Sequence, residues 1–169
     1  IEYADENLVL LPESMTFETA ASLGCRFVTA FRGVVDRGQV RPGMWVAVHG
    51  CGGVGLSAVM IAAAAGARVI AVDINDDALD AAGAFGAEVR INGRETTDVP
   101  AAIREITGGG AVLSLDALGS PATTAQSVLS LRTQGTHIQI GLLLSEESTP
   151  PIPMAPVISR ELRILGSHG

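Results

Sequence analysis

A glycine-rich segment, Gly50 to Gly55 (GCGGVG), carries the spacing G-x-G-x-x-G. In such a segment the first glycine permits a tight turn, Gly52 lets the backbone approach a pyrophosphate, and Gly55 lets a helix pack closely on a strand. The N–H groups of Gly53 and Val54 would then face the phosphates, with the positive end of a helix dipole behind them. The segment predicts a phosphate-binding loop if a strand runs into it and a helix runs out of it.

An acidic residue follows the glycine-rich segment at the separation expected of a residue that binds the adenosine ribose. Asp73 comes 18 residues after Gly55, at the end of the next apolar run. A carboxylate there accepts hydrogen bonds from the ribose hydroxyls and repels a 2′-phosphate. No arginine follows Asp73 within ten residues to bind such a phosphate. The alternative, that Asp73 only caps the next helix, is weakened because Asn75 is placed to do so. The sequence therefore predicts NAD rather than NADP.

The elements that hold these residues follow from an alternation of short apolar runs with alanine-rich stretches. Strands are predicted at Trp45–His49, Arg68–Val72, Val89–Ile91, Ala111–Leu115, Thr136–Ile140 and Leu162–Leu165. Helices are predicted between them at 53–65, 76–85, 99–107, 121–129 and 154–159. Because the strand runs are apolar throughout, both faces of the sheet are expected to be covered. The pattern predicts an α/β Rossmann fold: a doubly wound, six-stranded parallel sheet with helices on both faces, preceded by a short helical segment.

The first part of the chain has a different pattern. Thr16 is a helix cap, and apolar residues follow it at helical spacing up to Val35. A dinucleotide fold does not require such a segment, and the chain begins with Ile1 rather than methionine. We therefore expect residues 1–40 to be a helical connection to a further, catalytic domain, and residues 41–169 to be the dinucleotide-binding domain.

Composition excludes several classes of function. The 11 basic residues are all arginines, and without lysine a Walker A loop or Schiff-base chemistry is excluded. A net charge of −7 argues against a nucleic-acid partner. No apolar run reaches the ~20 residues that span a membrane. Two cysteines are too few for a disulfide scaffold, and no targeting segment opens the chain, so a cytoplasmic location is expected.

Several segments give a resemblance to a known family. Ser22 to Phe31 (SLGCRFVTAF) resembles the part of zinc-dependent medium-chain alcohol dehydrogenases that supplies a cysteine ligand of the catalytic zinc. Val46 to Ala58 (VAVHGCGGVGLSA) closely resembles their cofactor loop, and Val69 to Ile74 and Ile164 to Ser167 continue the similarity in the same order. The resemblance covers essentially the whole chain.

This resemblance implies a set of site residues. Cys25 would be one of three protein ligands of the catalytic zinc, in the complete enzyme only. Thr29, Ile140, Leu142 and the backbone of His168 would border the nicotinamide. The full set of cofactor-binding residues would be Thr29, Gly50, Gly52, Gly53, Val54, Gly55, Asp73, Ile74, Ala117, Ile140, Leu142 and His168. One departure is Ala78, which stands where many relatives have a basic residue near the adenosine ribose.

The implied function is that of the NAD-binding domain of an alcohol dehydrogenase, which transfers a hydride from a small alcohol to NAD and forms an aldehyde or ketone. We expect this domain alone to be inactive, since it has no catalytic residues of its own and the other zinc ligands belong to the missing domain. A zinc-free quinone or enoyl reductase of the same superfamily is one alternative, against which Cys25 and Asp73 argue. A non-catalytic nucleotide-binding and dimerisation module is a second alternative, which the sequence leaves open.

The last predicted strand, Leu162–Leu165, is expected at the edge of the sheet. An edge strand presents unpaired N–H and C=O groups, and this one holds one charge, at Arg163, and no proline. The family resemblance implies that two copies join antiparallel at this edge. The sequence therefore predicts a homodimer through the last strand, with a Pro151–Ser159 segment covering the edge as the alternative.

Overall fold

A computed structural model describes residues 8–144 and 148–169 of the chain. Its strands are β1 Trp45–His49, β2 Arg68–Asp73, β3 Ala87–Asn92, β4 Ala111–Asp116, β5 Leu131–Gln139 and β6 Arg163–Gly166. They form one six-stranded sheet in the order β3-β2-β1-β4-β5-β6, and every neighbouring pair is parallel. This confirms the predicted doubly wound Rossmann fold.

The helices between the strands lie where the sequence predicts them. They are α3 Gly53–Ala64, α4 Asp76–Ala84, α5 Val99–Thr107, α6 Pro121–Leu129 and α7 Met154–Ser159. Before β1, a helical segment is made of α1 Phe17–Ser22, a π-helical turn Leu23–Phe27, α2 Val28–Phe31 and a second π-helical turn Arg32–Arg37. Within residues 8–144 and 148–169, no helix is both long and apolar enough to cross a membrane.

The ends of two helices follow directly from their capping residues. The Asn75 side chain accepts a hydrogen bond of 2.9 Å from the Asp77 N–H at the start of α4. The Ser120 side chain accepts one of 3.2 Å from the Thr123 N–H, ahead of Pro121 at the first helical position. Both arrangements satisfy N–H groups that a helix start leaves free, and the first confirms the predicted cap at Asn75.

Two predicted strand starts are wrong by more than one residue: β3 begins at Ala87 rather than Val89, and the larger difference is in β5. β5 begins at Leu131 rather than Thr136, because Leu131 pairs with Ala111 before an irregularity in the register. The chain between the two paired stretches bends at Gln134, which has a positive φ of 59°. The first part of this strand has no apolar run of its own, so its pairing depends on the neighbouring β4.

The core has two layers, one on each face of the sheet. One layer joins Val46, Val48, Val69 and Ala71 to residues of α3 and α4, and the other joins Ala47 and Ile70 to residues of α5. Ala30 and Val34 of the helical segment are fully buried in the first layer. The segment from Ala30 onward therefore packs on the same face as α3. Residues 1–7 of the predicted connection 1–40 lie outside the described residues, and the domain boundary stays a prediction.

Candidate functional site

The carboxyl ends of the central strands meet at one edge of the sheet. β1 lies between β2 and β4, and the chain passes from β1 to β2 and β3 on one side before it crosses back to β4 on the other. This reversal is a topological switch point, and folds of this class bind ligands in the crevice outside it. The loops after β1, β2, β4 and β5 therefore define the candidate site.

Two positions of the glycine loop after β1 require glycine. Gly50 has a φ of +90° and donates its N–H to the Val72 C=O at 2.8 Å. A Cβ on Gly55 would overlap the Gly50 carbonyl oxygen, so glycine is needed for α3 to pack against the loop. Gly52 differs from both, since a Cβ there would meet open space. The three positions thus have the geometry that the sequence pattern predicts.

The first turn of α3 offers hydrogen-bond donors to solvent. The N-cap residue is Gly52, which has no side chain to cap the turn. In the described part of the chain, the first N–H that bonds back is that of Leu56, to the Gly52 C=O at 2.8 Å. The N–H groups of Gly53 and Val54 are therefore available to an anion at the positive end of the helix.

The Asp73 carboxylate ties the glycine loop to the end of β2. One oxygen accepts a hydrogen bond of 2.6 Å from the Cys51 N–H. The other oxygen accepts bonds of 2.7 Å and 3.0 Å from the N–H groups of Ile74 and Asn75. A carboxylate has about four acceptor positions, so capacity remains for a ribose hydroxyl. The sequence predicted the ribose role, and the structure adds this positioning role.

A cavity of about 230 Å³ lies beside Asp73. Its lining consists of His49, Gly50, Val72, Asp73, Ile74, Gly93, Leu118, Ala122, Thr123 and Gln126. Two apolar side chains at its border, Ile74 and Leu118, are 57% and 60% exposed. Exposed apolar groups that border a shared cavity suit a flat aromatic ring. Leu118 comes from the loop after β4, and the pairing of His49 with Asp116 brings that loop to the end of β1.

A second cavity, of about 470 Å³, lies on the other side of the glycine loop. Its lining consists of Cys25, Thr29, Val54, Ala117, Leu118, Ile140, Gly141, Leu142, Leu144, Ser167, His168 and Gly169. The structure therefore brings Cys25 together with all four residues predicted to border the nicotinamide. Leu118 lines both cavities, so the two cavities share a wall. Of the residues chosen from the sequence, Gly52, Gly53 and Gly55 line neither cavity and form the loop between them.

A buried carboxylate holds the loop that carries Ala117 and Leu118. Asp116 is fully buried and accepts hydrogen bonds from the N–H groups of Leu118 (3.0 Å) and Gly119 (2.9 Å). It also accepts bonds from the side chains of Thr123, Thr124 and Gln139. This network fixes the wall that the two cavities share.

Two histidines are buried on the α6 side of the sheet. Within the described part of the chain, neither ring nitrogen of His49 has a hydrogen-bond partner, and burial lowers the pKa of His49 to about 4. Burial also lowers the pKa of His137, whose Nδ1 lies 2.8 Å from the Ser127 hydroxyl. Both rings are therefore neutral at pH 7, as buried strand residues.

The two cysteines have different environments. Cys51 is buried, and burial raises the pKa of its thiol to about 12, so it is not a reactive thiolate. Cys25 is exposed and lines the second cavity. Among residues 8–144 and 148–169, no group of three or more His, Cys, Asp or Glu side chains could hold a metal ion. The described residues therefore do not by themselves supply the three ligands of a catalytic zinc.

The fold also brings an arginine to the turn after β2. Arg94 lines a cavity of about 500 Å³ with Ile74, Asn75, Asp76 and Asp77. Arg94 comes 21 residues after Asp73 in the sequence, so it lies beyond the ten residues after Asp73 that contain no arginine. The β2–β3 pairing, in which Asp73 lies opposite Asn92, explains why the two regions meet.

A doubly wound sheet with a glycine loop and an acidic strand end at its switch point defines a Rossmann-type dinucleotide-binding domain. A family model described as zinc-binding dehydrogenase matches residues 53–169. The chain belongs to this family, and it corresponds to the coenzyme domain of zinc-type alcohol dehydrogenases. This confirms the family indicated by the resemblance.

Individual relatives agree with this assignment. The chain is 34% identical to an alcohol dehydrogenase of Geobacillus stearothermophilus over 97% of its own length and 47% of the relative. The crystal structure of benzyl alcohol dehydrogenase from Acinetobacter calcoaceticus matches with a TM-score of 0.90 and 32% identity, over 96% of this chain and 44% of that one. An alcohol dehydrogenase zinc-binding domain protein from Burkholderia ambifaria matches with a TM-score of 0.87 and 36% identity, over 92% and 42%.

The chain thus spans about half the length of the curated relatives it matches. These relatives are described as alcohol dehydrogenases, which does not favour the alternatives of a quinone or enoyl reductase or of a non-catalytic module.

Proposed function

We propose that this chain binds NAD as part of an NAD-dependent, zinc-type alcohol dehydrogenase that oxidises a small alcohol to an aldehyde or ketone. The observation that carries the proposal is the pair of cavities that share Leu118 beside the glycine loop, with Asp73 in one and Thr29 in the other. Bound NAD would supply the carbon that accepts the hydride. The chain itself supplies the surface that orients the dinucleotide.

Each part of a dinucleotide has a matching surface along this groove. The N–H groups of Gly53 and Val54 would hold the pyrophosphate. Asp73 would accept the hydroxyls of the adenosine ribose, and Ile74 and Leu118 would enclose the adenine. The remaining predicted residues, Thr29, Ala117, Ile140, Leu142 and His168, would border the nicotinamide in the second cavity.

The role of Cys25 needs groups from elsewhere in the parent protein. Its thiol is exposed at the nicotinamide side of the groove, where it would supply one ligand of a zinc whose other ligands lie in a further domain. We therefore expect the chain alone to bind NAD(H), to hold no stoichiometric zinc and to oxidise no alcohol. A cytoplasmic location is part of the same proposal, and both cysteines are free thiols, as in a reducing compartment.

The parent is proposed to be a homodimer that pairs through β6. This strand pairs with β5 on one side, and Ile164 on it is 39% exposed. A two-fold contact would satisfy the free edge of each copy in the same way.

The function is tested by titrating the chain with NADH and, separately, with NADPH, and by measuring the fluorescence of the reduced nicotinamide in each titration. NADH is expected to bind at least about tenfold more tightly, because Asp73 repels a 2′-phosphate. Asp73→Asn removes the charge, so it should raise NADPH affinity, although it also replaces one of the two oxygens that accept bonds from the Cys51, Ile74 and Asn75 N–H groups. In that background Arg94→Gln should lower NADPH affinity again, since Arg94 lines the adjacent cavity. Tighter binding of NADPH by the unmodified chain would contradict the proposal.

A further inference from the structure

The side chain of Arg26 lies directly on the glycine loop. A Cβ built on Gly53 would overlap Cδ of Arg26 and would lie 2.8 Å from its Nε and 3.2 Å from its Cζ. Arg26 comes from the π-helical turn Leu23–Phe27, which precedes β1 and is separate from the switch-point loops. The guanidinium therefore adjoins the first residue of α3, whose N–H is free to bind an anion.

Within residues 8–144 and 148–169, the described ion pairs are Arg68–Glu88 and Arg90–Asp80, and no hydrogen bond from Arg26 is described there. A cation at the positive end of a helix is unfavourable unless an anion lies beside it. The π-helical turn thus holds a cation where α3 also attracts negative charge. The Arg26 guanidinium and the N-terminus of α3 therefore both favour an anionic ligand.

Space for that ligand is present. Arg26 and Gly53 line a cavity of about 680 Å³ between the helical segment and α3, together with Cys25, Phe27 and Ser57. In the described lining of this cavity there is no Asp or Glu side chain to compete for the guanidinium. A guanidinium has five N–H donors in a planar fork that matches two phosphate oxygens. An ammonium group lacks this fork.

We propose that Arg26 is a pyrophosphate-binding residue, which supplies charge and N–H donors to the phosphates that the Gly53 and Val54 N–H groups hold. This inference rests on the proposed function, since it concerns the same dinucleotide. It adds a basic residue to a loop whose sequence pattern contains backbone donors alone. It also makes the turn that carries Cys25 part of the cofactor site.

The test compares Arg26→Gln with Arg37→Gln, which removes the same charge from the far end of the helical segment. NADH binding is measured by fluorescence, and ADP and adenosine are used as competitors. Arg26→Gln is expected to weaken NADH and ADP binding about tenfold, the loss of one charge-assisted hydrogen bond. Adenosine, which has no phosphate, should bind as before, and Arg37→Gln should bind all three like the unmodified chain.

A second variant, Arg26→Lys, keeps the charge and loses the fork, so its NADH affinity should fall between those of the unmodified chain and Arg26→Gln. Because Arg26 is exposed and is an unfavourable charge at the positive end of α3 without an anion, the melting temperature without ligand should not fall in either variant. Equal NADH binding by Arg26→Gln and the unmodified chain would overturn the role of Arg26 and leave the proposed function standing. An equal loss of adenosine binding would also overturn it. Failure of the unmodified chain to bind NADH would overturn both.

Discussion

His49 is a buried side chain whose two polar atoms have no hydrogen-bond partner in the described part of the chain. Such a ring costs stability even when neutral, and more when it is protonated. Its neighbour Asp116 favours the charged form, but burial outweighs this and lowers the His49 pKa from 6.5 to about 4. The residue therefore makes folding sensitive to mild acid.

The sign of this effect follows from which state binds the proton. Above pH 6.5 His49 is neutral in both states, and below it the unfolded chain takes up a proton that the folded chain refuses. The free energy of unfolding should fall when the pH is lowered from 7.5 to 5.5. We expect this fall to be about 1.4 kcal/mol smaller in His49→Leu than in the unmodified chain. Urea unfolding at the two pH values measures this.

The comparison protein is the unmodified chain, unfolded in urea at the same two pH values. His137 remains in both proteins, so its contribution cancels in the comparison. An identical pH dependence for His49→Leu and the unmodified chain would contradict the prediction, because it would show that His49 takes up its proton at the same pH in the folded and unfolded states.

The junction of β1 and α3 gives the glycine loop two separable functions. Gly55 serves packing, since a Cβ there would overlap the Gly50 carbonyl oxygen. Gly52 serves the ligand in our proposal, since a Cβ there would meet open space. Substitution by alanine at the two positions should therefore affect different properties.

Gly55→Ala should lower the free energy of unfolding by about 3 kcal/mol, because α3 must move away from the loop. Gly52→Ala should change it by less than about 0.5 kcal/mol and weaken NADH binding at least about tenfold, because its Cβ occupies the space of the pyrophosphate. Chemical denaturation and NADH fluorescence measure the two effects. Unchanged NADH binding in Gly52→Ala would show that no phosphate approaches this residue.

The helices and central strands could be predicted from the sequence because their signals are local. The caps at Asn75 and Ser120 and the apolar runs of β1 and β2 specify their own ends. The early start of β5 at Leu131 could not be predicted from the sequence, since it depends on pairing with Ala111. Local signals thus specify most elements, and the limits of β5 depend on its pairing with the neighbouring strand.

The candidate site divides in the same way. The glycine loop and Asp73 follow from spacing along the chain, and the structure gives them the expected geometry. Arg26 and Arg94 join the site only through contacts between elements far apart in sequence. Their residue type carries no signal that distinguishes them from other arginines on the surface.

At the scale of the whole molecule, the free edge of β6 is the feature that a second copy would cover. The Ser167 N–H donates to the Gln139 C=O at 3.0 Å, and N–H directions alternate along a strand. The Ile164 N–H, three residues earlier, therefore faces away from β5 and toward the outer edge of the sheet. Ile164→Pro removes this donor while it spares the pairing of β6 with β5.

We expect the unmodified chain to be a dimer and Ile164→Pro a monomer, by light scattering across a range of concentrations. Ile164→Thr is the matched control, because it keeps the N–H and a β-branched side chain, and it should remain dimeric. Both variants should bind NADH, since the glycine loop lies at β1 rather than at the edge. A monomer for the unmodified chain at every concentration would exclude pairing through β6.

Amide NMR spectra of the isotope-labelled chain during a titration with NADH test the dinucleotide site most directly. Each residue reports separately, so position as well as affinity is measured. The largest saturable shifts are expected at Gly53, Val54, Leu118 and Ile140, along the carboxyl ends of the strands. The Gly108–Gly110 turn, which precedes β4 at the opposite edge of the sheet, should not respond. Absence of saturable shifts, or shifts centred on that turn, would contradict the assignment of this groove as an NAD site.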